Sequence, residues 1–152
     1  MNIRCSILRT IPDNKDFQNL TMALDKELAI RDGELHSFYH QYNSLKVLDH
    51  VVVAYYNDRA IACGALKKYH ENSVEIKRMF VLESERCKGI ASTILYELES
   101  WAKELKYERC ILETGINQPE AINLYKKNNY TTIPNYGQYE NIYNSVCFEK
   151  IL

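Results

Sequence analysis

Val74-Glu75-Ile76-Lys77-Arg78-Met79-Phe80-Val81-Leu82, followed by Arg86-Cys87-Lys88-Gly89-Ile90-Ala91, is the stretch that decides how this chain folds. The first run is strand-like in length and in its β-branched and aromatic content, and past the glycine the apolar pattern changes period. Ile94, Leu95, Leu98, Trp101, Ala102 and Leu105 fall on one face of a helix over residues 91–106. Cys110-Ile111-Leu112-Glu113 then reads as a short buried strand. A strand, a helix and a strand in this order require a right-handed crossover, with residues 74–82 and 110–113 parallel.

Upstream, residues 51–56 and 60–69 flank Asn57-Asp58, a hairpin signal, and Glu71-Asn72-Ser73 turns the chain into residues 74–82. This is a three-strand antiparallel meander. Residues 3–8 read as a first strand. Pro12-Asp13-Asn14 starts a helix whose Phe17, Leu20, Leu24 and Leu28 share a face, and Gly33 closes it. Residues 34–48, carrying Phe38, Tyr39 and Tyr42, read as a second, less regular helix. Downstream, residues 118–128 form a helix with Pro119 in its first turn, and residues 130–133 and 145–151 are closing strands. The order β-α-α-β-β-β-α-β-α-β-β predicts an α/β (α+β) three-layer sandwich, a mixed, mainly antiparallel seven-stranded sheet with helices on both faces.

Bulk properties narrow the classes of function. A length of 152 residues suits one domain over residues 1–152. Hydrophobic residues at 46% and charged residues at 26% are ordinary for a folded protein. Lys+Arg number 19 against Asp+Glu 20, so no basic excess exists to hold a nucleic-acid backbone. No apolar run reaches the roughly eighteen residues of a membrane span, and Met1-Asn2-Ile3-Arg4-Cys5 lacks the apolar stretch of a secretory signal. Cys5, Cys63, Cys87, Cys110 and Cys147 stand singly, with no CxxC pair, which suits reduced thiols in the cytoplasm.

Gly89 lies where a strand gives way to a helix, and there the first-turn N–H groups and the helix dipole favour phosphate. Arg86 and Lys88 add positive charge beside it, and two bridged phosphates would fit. A P-loop and a three-glycine dinucleotide fingerprint are both missing, since the nearest glycines are Gly64 and Gly115. A plain turn is the other reading of a lone glycine.

Arg86-x-x-Gly89-x-Ala91 directly after a strand resembles the acetyl-CoA loop of the GNAT N-acetyltransferase superfamily. Glu75-Ile76-Lys77-Arg78-Met79-Phe80-Val81 resembles that family's fourth strand. Gln118-Pro119-Glu120-Ala121-Ile122-Asn123-Leu124-Tyr125-Lys126-Lys127 is similar to its late helix, usually written Asn-x-x-Ala-x-x-Leu-Tyr. The match is close over residues 50 to 130 and topological elsewhere. The resemblance implies a GNAT-type acyl-CoA N-acyltransferase fold with acetyl-CoA as co-substrate and an amine as acceptor. It implies that the backbone of Met79, Phe80 and Val81 pairs with the pantetheine arm like an added strand. The N–H groups of Cys87, Lys88, Gly89, Ile90, Ala91 and Ser92, beside Arg86, would hold the pyrophosphate. Residues 74–82 and 110–113 would splay to admit the thioester. Gln118 stands where Asn more often contacts the cofactor, and Asn129-Tyr130 stands where Gly-Tyr or Gly-Phe is commoner. Homodimers are common in the family.

Attack on a thioester needs a neutral amine, hence a base, and a hydrogen-bond donor for the departing thiolate. By resemblance that donor is Tyr125, and packing is the rival reading in a chain with 12 tyrosines. Glu113 and Glu75 are the candidate bases; for each the rival is an ion pair with Lys77, Arg78 or Arg109. His36 and His40 stand at i,i+4 without the Glu of HExxH or a third ligand, so they read as solvated or acceptor-side histidines, and no metal is expected. Tyr136, Tyr139 and Tyr143 either shape the acceptor pocket or pack on the sheet. The expected function is acetyl-CoA-dependent N-acetyl transfer, directly onto a primary amine of a small molecule, an amino acid or a peptide or protein. A non-catalytic acetyl-CoA-binding or sensing domain is the alternative.

Overall fold

The computed structural model describes residues 4–32 and 44–152. Its strands are β1 (Ser6–Thr10), β2 (His50–Tyr56), β3 (Arg59–His70), β4 (Ser73–Val81), β5 (Arg109–Gly115), β6 (Thr131–Ile133) and β7 (Ser145–Ile151). The helices are α1 (Lys15–Asp32), α2 (Ile90–Glu104) and α3 (Pro119–Lys127). The sheet runs β1-β2-β3-β4-β5-β7-β6, and among the described residues β4–β5 is the one parallel pair, the mixed, mainly antiparallel sheet that the element order predicted.

Alternation along β2 sorts the core into two layers. Val51 and Val53 meet Phe17, Leu20 and Leu24 of α1 on one face. Val52 and Ala54 meet Ile94, Leu95 and Leu98 of α2 on the other, where Tyr125 of α3 joins them. Both faces are covered, which is why residues 51–54 read as an unbroken apolar run. The β2–β3 hairpin turns on Asn57 and Asp58, at φ 50° and 63°, the two left-handed residues that a tight hairpin matching the sheet's twist needs.

Two expectations are corrected, and a third is described only at its end. The first strand is Ser6–Thr10 rather than residues 3–8, because its register against β2 runs from Ser6↔Tyr55 to Thr10↔Val51. The second helix, residues 34–48, falls largely outside the described residues, with Gly33, His36, Phe38, Tyr39, His40 and Tyr42. Its described end, Leu45–Val47, is a single 3-10 turn, capped by Ser44 Oγ accepting from the Lys46 N–H at 3.3 Å and stopped by extended Leu48. Finally, β5 continues to Gly115, so Glu113 sits inside the strand rather than closing it.

Two irregularities in β4 set the geometry of the sheet's centre. Its pairing with β5 covers only Ser73↔Arg109, Val74↔Cys110 and Glu75↔Ile111, after which the strands part. Against β3, Cys63 faces Phe80 while Ala65 faces Lys77, so β4 carries one extra residue there. Arg78 takes a left-handed φ of 59° in this bulge, and the buried Cys63 thiol donates to its carbonyl at 3.4 Å. The extra residue breaks the alternation: Lys77 and Arg78 both leave the sheet on the α1 side.

Candidate active site

Beyond Glu75 and Ile111 the two parallel strands no longer exchange hydrogen bonds, and a cavity of about 110 Å³ opens between them under α1. Lys77, Arg78, Glu113, Gln118, Tyr125 and Tyr139 are among its walls. Glu113 accepts from Ser145 Oγ at 2.6 Å. Glu75 lies behind this wall, 2% exposed, and accepts from Tyr136 Oη at 2.5 Å. Lys77 donates to Tyr139 Oη at 3.3 Å. Burial lowers the Lys77 pKa, against the opposing pull of Glu75 and Glu113. The other expected ion partners are engaged elsewhere: Arg78 with Asp25 at 2.9 Å and Arg109 with Glu149 at 2.9 Å.

A second, larger cavity of about 370 Å³ runs as a groove from the end of β4 past the start of α2 to α3. Met79, Phe80 and Val81 form one wall. Arg86, Cys87, Gly89, Ile90, Ala91 and Ser92 form its end, and Gln118 and Tyr125 close the far side. Cys87 and Gly89 are both left-handed, at φ 63° and 80°, an alternation that gathers successive N–H groups around a concavity. Gly89 is also the N-cap of α2, its carbonyl accepting from Thr93 N at 3.1 Å.

The charges around this turn differ from the expectation. Arg86 gives Nη2 to Glu27 at 2.8 Å and Nε to the Val81 carbonyl at 2.9 Å. Lys88 turns to Glu85 at 3.0 Å and stays off the groove wall. Both cations are therefore largely neutralised, and the attraction for an anion rests on N–H groups and the helix terminus. Glu85 stands three residues before Lys88, a spacing that makes it readable as its partner; Glu27 arrives from α1 and leaves no local signal.

Tyr125 lines both cavities. Its ring packs on Tyr130 and Phe148, with centroids 5.7 and 6.0 Å away, so the two expected roles, packing and facing the cleft, coexist. Burial first, then the charge of Glu113, raises its phenol above the ordinary value. The chain leaves α3 through Asn129 at φ 72°, and the Tyr130 N–H returns to the Tyr125 carbonyl at 3.0 Å, the left-handed cap that Asn tolerates.

Of the late-loop tyrosines, Tyr139 lines the inner cavity, Tyr136 packs half-buried beside it and donates to Glu75, and Tyr143 is 86% exposed and takes neither expected part. Lys77 and Arg78, expected only as ion partners, are both buried in the cavity wall. Two adjacent cations inside an apolar strand are the signal in the sequence that could have found them. Cys63 and Cys110 are buried thiols raised to about 12, mainly by desolvation, and Cys87 is exposed. Among the described residues no group of three His, Cys, Asp or Glu side chains gathers to hold a metal, and no helix is long and apolar enough to cross a membrane.

Comparison with known proteins gives a consistent picture. The family model for the acetyltransferase (GNAT) family matches residues 17–130. An IAA acetyltransferase of Azospirillum brasilense is 32% identical over 89 residues, which span 58% of this chain and 58% of that relative. A solved Klebsiella pneumoniae structure, assigned as an acyl-CoA N-acyltransferase, superposes with a TM-score of 0.81 at 27% identity, over 97% of each chain. A GNAT family acetyltransferase of Elizabethkingia anophelis, solved with acetyl-CoA bound, shares the fold at a TM-score of 0.72 and 20% identity, over 97% of this chain and 98% of that one.

Proposed function

Since the chain belongs to the acetyltransferase (GNAT) family, whose acetyl donor is acetyl-CoA, we propose that it transfers an acetyl group directly onto a primary amine. The acceptor class is an amino acid, another small molecule, or a peptide or protein. The observation that carries this reading is the position of Tyr125, shared by the groove and by the inner cavity where β4 and β5 part.

The groove suits a long amide-bearing phosphate ester on two counts. The edge of β4 freed by the splay offers peptide groups for strand-like pairing, and the Cys87–Gly89 turn offers clustered N–H groups for phosphate. Acetyl-CoA supplies the acetyl group as a thioester. In this proposal Met79, Phe80 and Val81 align the arm, residues 86–92 hold the pyrophosphate, and Gln118 adds an amide contact at the mouth of the inner cavity.

The amine enters from the inner cavity and must shed a proton. Glu113, in the cavity wall, receives it directly or through water; Glu75, one layer behind, is the second acceptor of the same relay. Tyr125 steadies the departing sulfur by donating a hydrogen bond. A phenol raised above its usual value of about 10 does not hand its proton to a thiolate whose usual value is about 8.5, so it acts as a donor without releasing the proton. The proton that finally reaches the sulfur is the one the amine gave up.

Release of free thiol from acetyl-CoA, followed across a panel of amines, tests the proposal. Tyr125→Phe should lower kcat by about a hundredfold while leaving acetyl-CoA affinity unchanged. Equal losses in binding and turnover would remove Tyr125 from the reaction. Binding without thiol release by any amine would favour the non-catalytic sensing domain. The proposal also includes a cytoplasmic setting, in keeping with five free cysteines, and a homodimer, which sedimentation at twice the 17.8 kDa chain mass would support.

A further inference from the structure

Arg78 is the least satisfied polar group of the described molecule. Its side chain is 2% exposed. Nη2 is used twice, donating to the Thr21 carbonyl at 3.0 Å and to Asp25 Oδ1 at 2.9 Å. Nε and Nη1 are buried, and among the described residues neither finds an acceptor. A guanidinium carries five N–H donors, and a buried cation with most of them idle is costly; such groups need an explanation where they persist. Asp25 is a third exposed and engages one nitrogen only.

The backbone is distorted at the same residue. A left-handed φ of 59° at a non-glycine residue is uncommon, and it occurs here in the bulge that sends Lys77 and Arg78 out on the same side. Without the extra residue, alternation would turn Arg78 toward α2 and away from the inner cavity, whose wall it now forms. Lys77 sits next to it in that wall. Strain, burial and idle donors thus coincide at one point in the wall of the inner cavity.

We propose that Arg78 is the anchor for a carboxylate on the acceptor, so that the amine acetylated belongs to a small amino acid whose acid group docks at the β4 bulge. The proposal rests on the acetyltransferase reading above and names its acceptor class. A carboxylate satisfies a guanidinium through charge-assisted hydrogen bonds, and the anchored end leaves the amino group directed toward Tyr125 and the opening between β4 and β5. Asp25 and the Thr21 carbonyl hold the guanidinium in place from α1. Glu113, held by Ser145, stands in the same wall to take the ammonium proton.

The test compares each of several amino acids with its carboxamide and with the decarboxylated amine of the same side chain, alongside an unblocked peptide. The readout is thiol release, with acetyl-CoA affinity measured separately by calorimetry. The acids should exceed their amides and amines in kcat/KM by about tenfold or more, the loss expected for an unmade charge-assisted hydrogen bond. Arg78→Met should remove that preference, raising KM for the acids by about tenfold more than for the neutral amines, so that the acid-to-amide ratio falls to about one. Arg78→Lys should retain part of it, and serves as the folded control should the methionine variant fail to fold. Equal rates for acids and amides, preference for the peptide, or preference surviving in both variants would overturn the anchor while leaving acetyl transfer intact. Failure to bind acetyl-CoA would instead strike the acetyltransferase reading itself.

Discussion

Gly64→Ala probes how firmly the groove is set by packing between the sheet and α2. A Cβ built at Gly64 stands 2.7 Å from Met79 Sδ, 2.8 Å from Ile94 Cγ2 and 2.8 Å from Leu98 Cδ1, where non-bonded contacts settle at about 3.5–4.0 Å. Met79 Sδ and Leu98 Cδ1 sit far along rotatable side chains and can swing away. Ile94 Cγ2 cannot, because it is one bond from Cβ and a β-branched residue on a helix has one strongly preferred rotamer. The methyl is therefore accommodated by moving α2 off the sheet. Overpacking of this kind costs about 1–3 kcal/mol, and alanine returns about 0.4–1 kcal/mol by narrowing the unfolded chain. A net loss of about 1–2 kcal/mol corresponds to about 2–8 °C in Tm for a chain of this size. Since α2 begins at the turn that closes the groove, KM for acetyl-CoA should rise as well. In a double-mutant cycle followed by thermal melting, Ile94→Ala should relieve the penalty and Ile94→Val should not, because valine keeps Cγ2. A Gly64→Ala protein that melts no lower than its parent, or equal relief by both partners, would refute the reasoning.

Gly89→Val places a β-branched side chain at φ 80°; the variant should lose about 1–2 kcal/mol of stability and bind acetyl-CoA more weakly, and unchanged affinity by calorimetry would move the donor away from this turn. Tyr136→Phe takes a hydrogen bond from Glu75, which is 2% exposed, so chemical denaturation should register about 1–3 kcal/mol; introducing Glu75→Gln into that background should restore part of it, and no loss would mean the carboxylate is served by water. Arg31 holds the Glu120 carboxylate down to about 2 through a bidentate contact. A lowered folded value means that the contribution to stability is present above about 4.5 and fades as pH falls toward 2. An NMR titration should place the Glu120 midpoint near 2 and find it raised in Arg31→Gln, part of the lowering remaining through a backbone hydrogen bond; identical midpoints in both proteins would show that the contact does not persist in solution.

Residues 74–113 were legible because three local signals coincide there: a β-branched run, a glycine, and a change of apolar period at Ile90. Periodicity also found α1, whose Phe17, Leu20 and Leu24 stripe is the buried one. What stayed hidden depends on contacts between distant segments. A bulge adds a residue without changing composition, so nothing in Ile76-Lys77-Arg78-Met79 announces that two neighbouring side chains leave on one side. Arg86 looked like free positive charge because Glu27, its partner, lies 59 residues away in sequence. Tyr136, Tyr139 and Tyr143 are alike as letters, and only the path of the loop decides that Tyr143 faces solvent. The glutamates were placed on the correct strands, but what each faces is set by distant segments: Glu113 lies opposite Cys147 of β7, and Glu75 is met by Tyr136 from 61 residues away.

The brief pairing of β4 with β5 has a mechanical consequence. Three register pairs join a four-stranded leaf, β1 to β4, to a three-stranded one, β5 with β7 and β6. The ladders β1–β2, β2–β3, β3–β4 and β5–β7 are longer and antiparallel, whereas the seam is short and leans on the side chains packed against it. Opening along that seam is a low-cost excursion compared with parting β2 from β3 or β5 from β7. Amide hydrogen exchange should find the protons spanning Ser73–Glu75 and Arg109–Ile111 less protected than those between β2 and β3. A molecule lodged across the gap would act as the missing stitches, slowing exchange in both leaves at once.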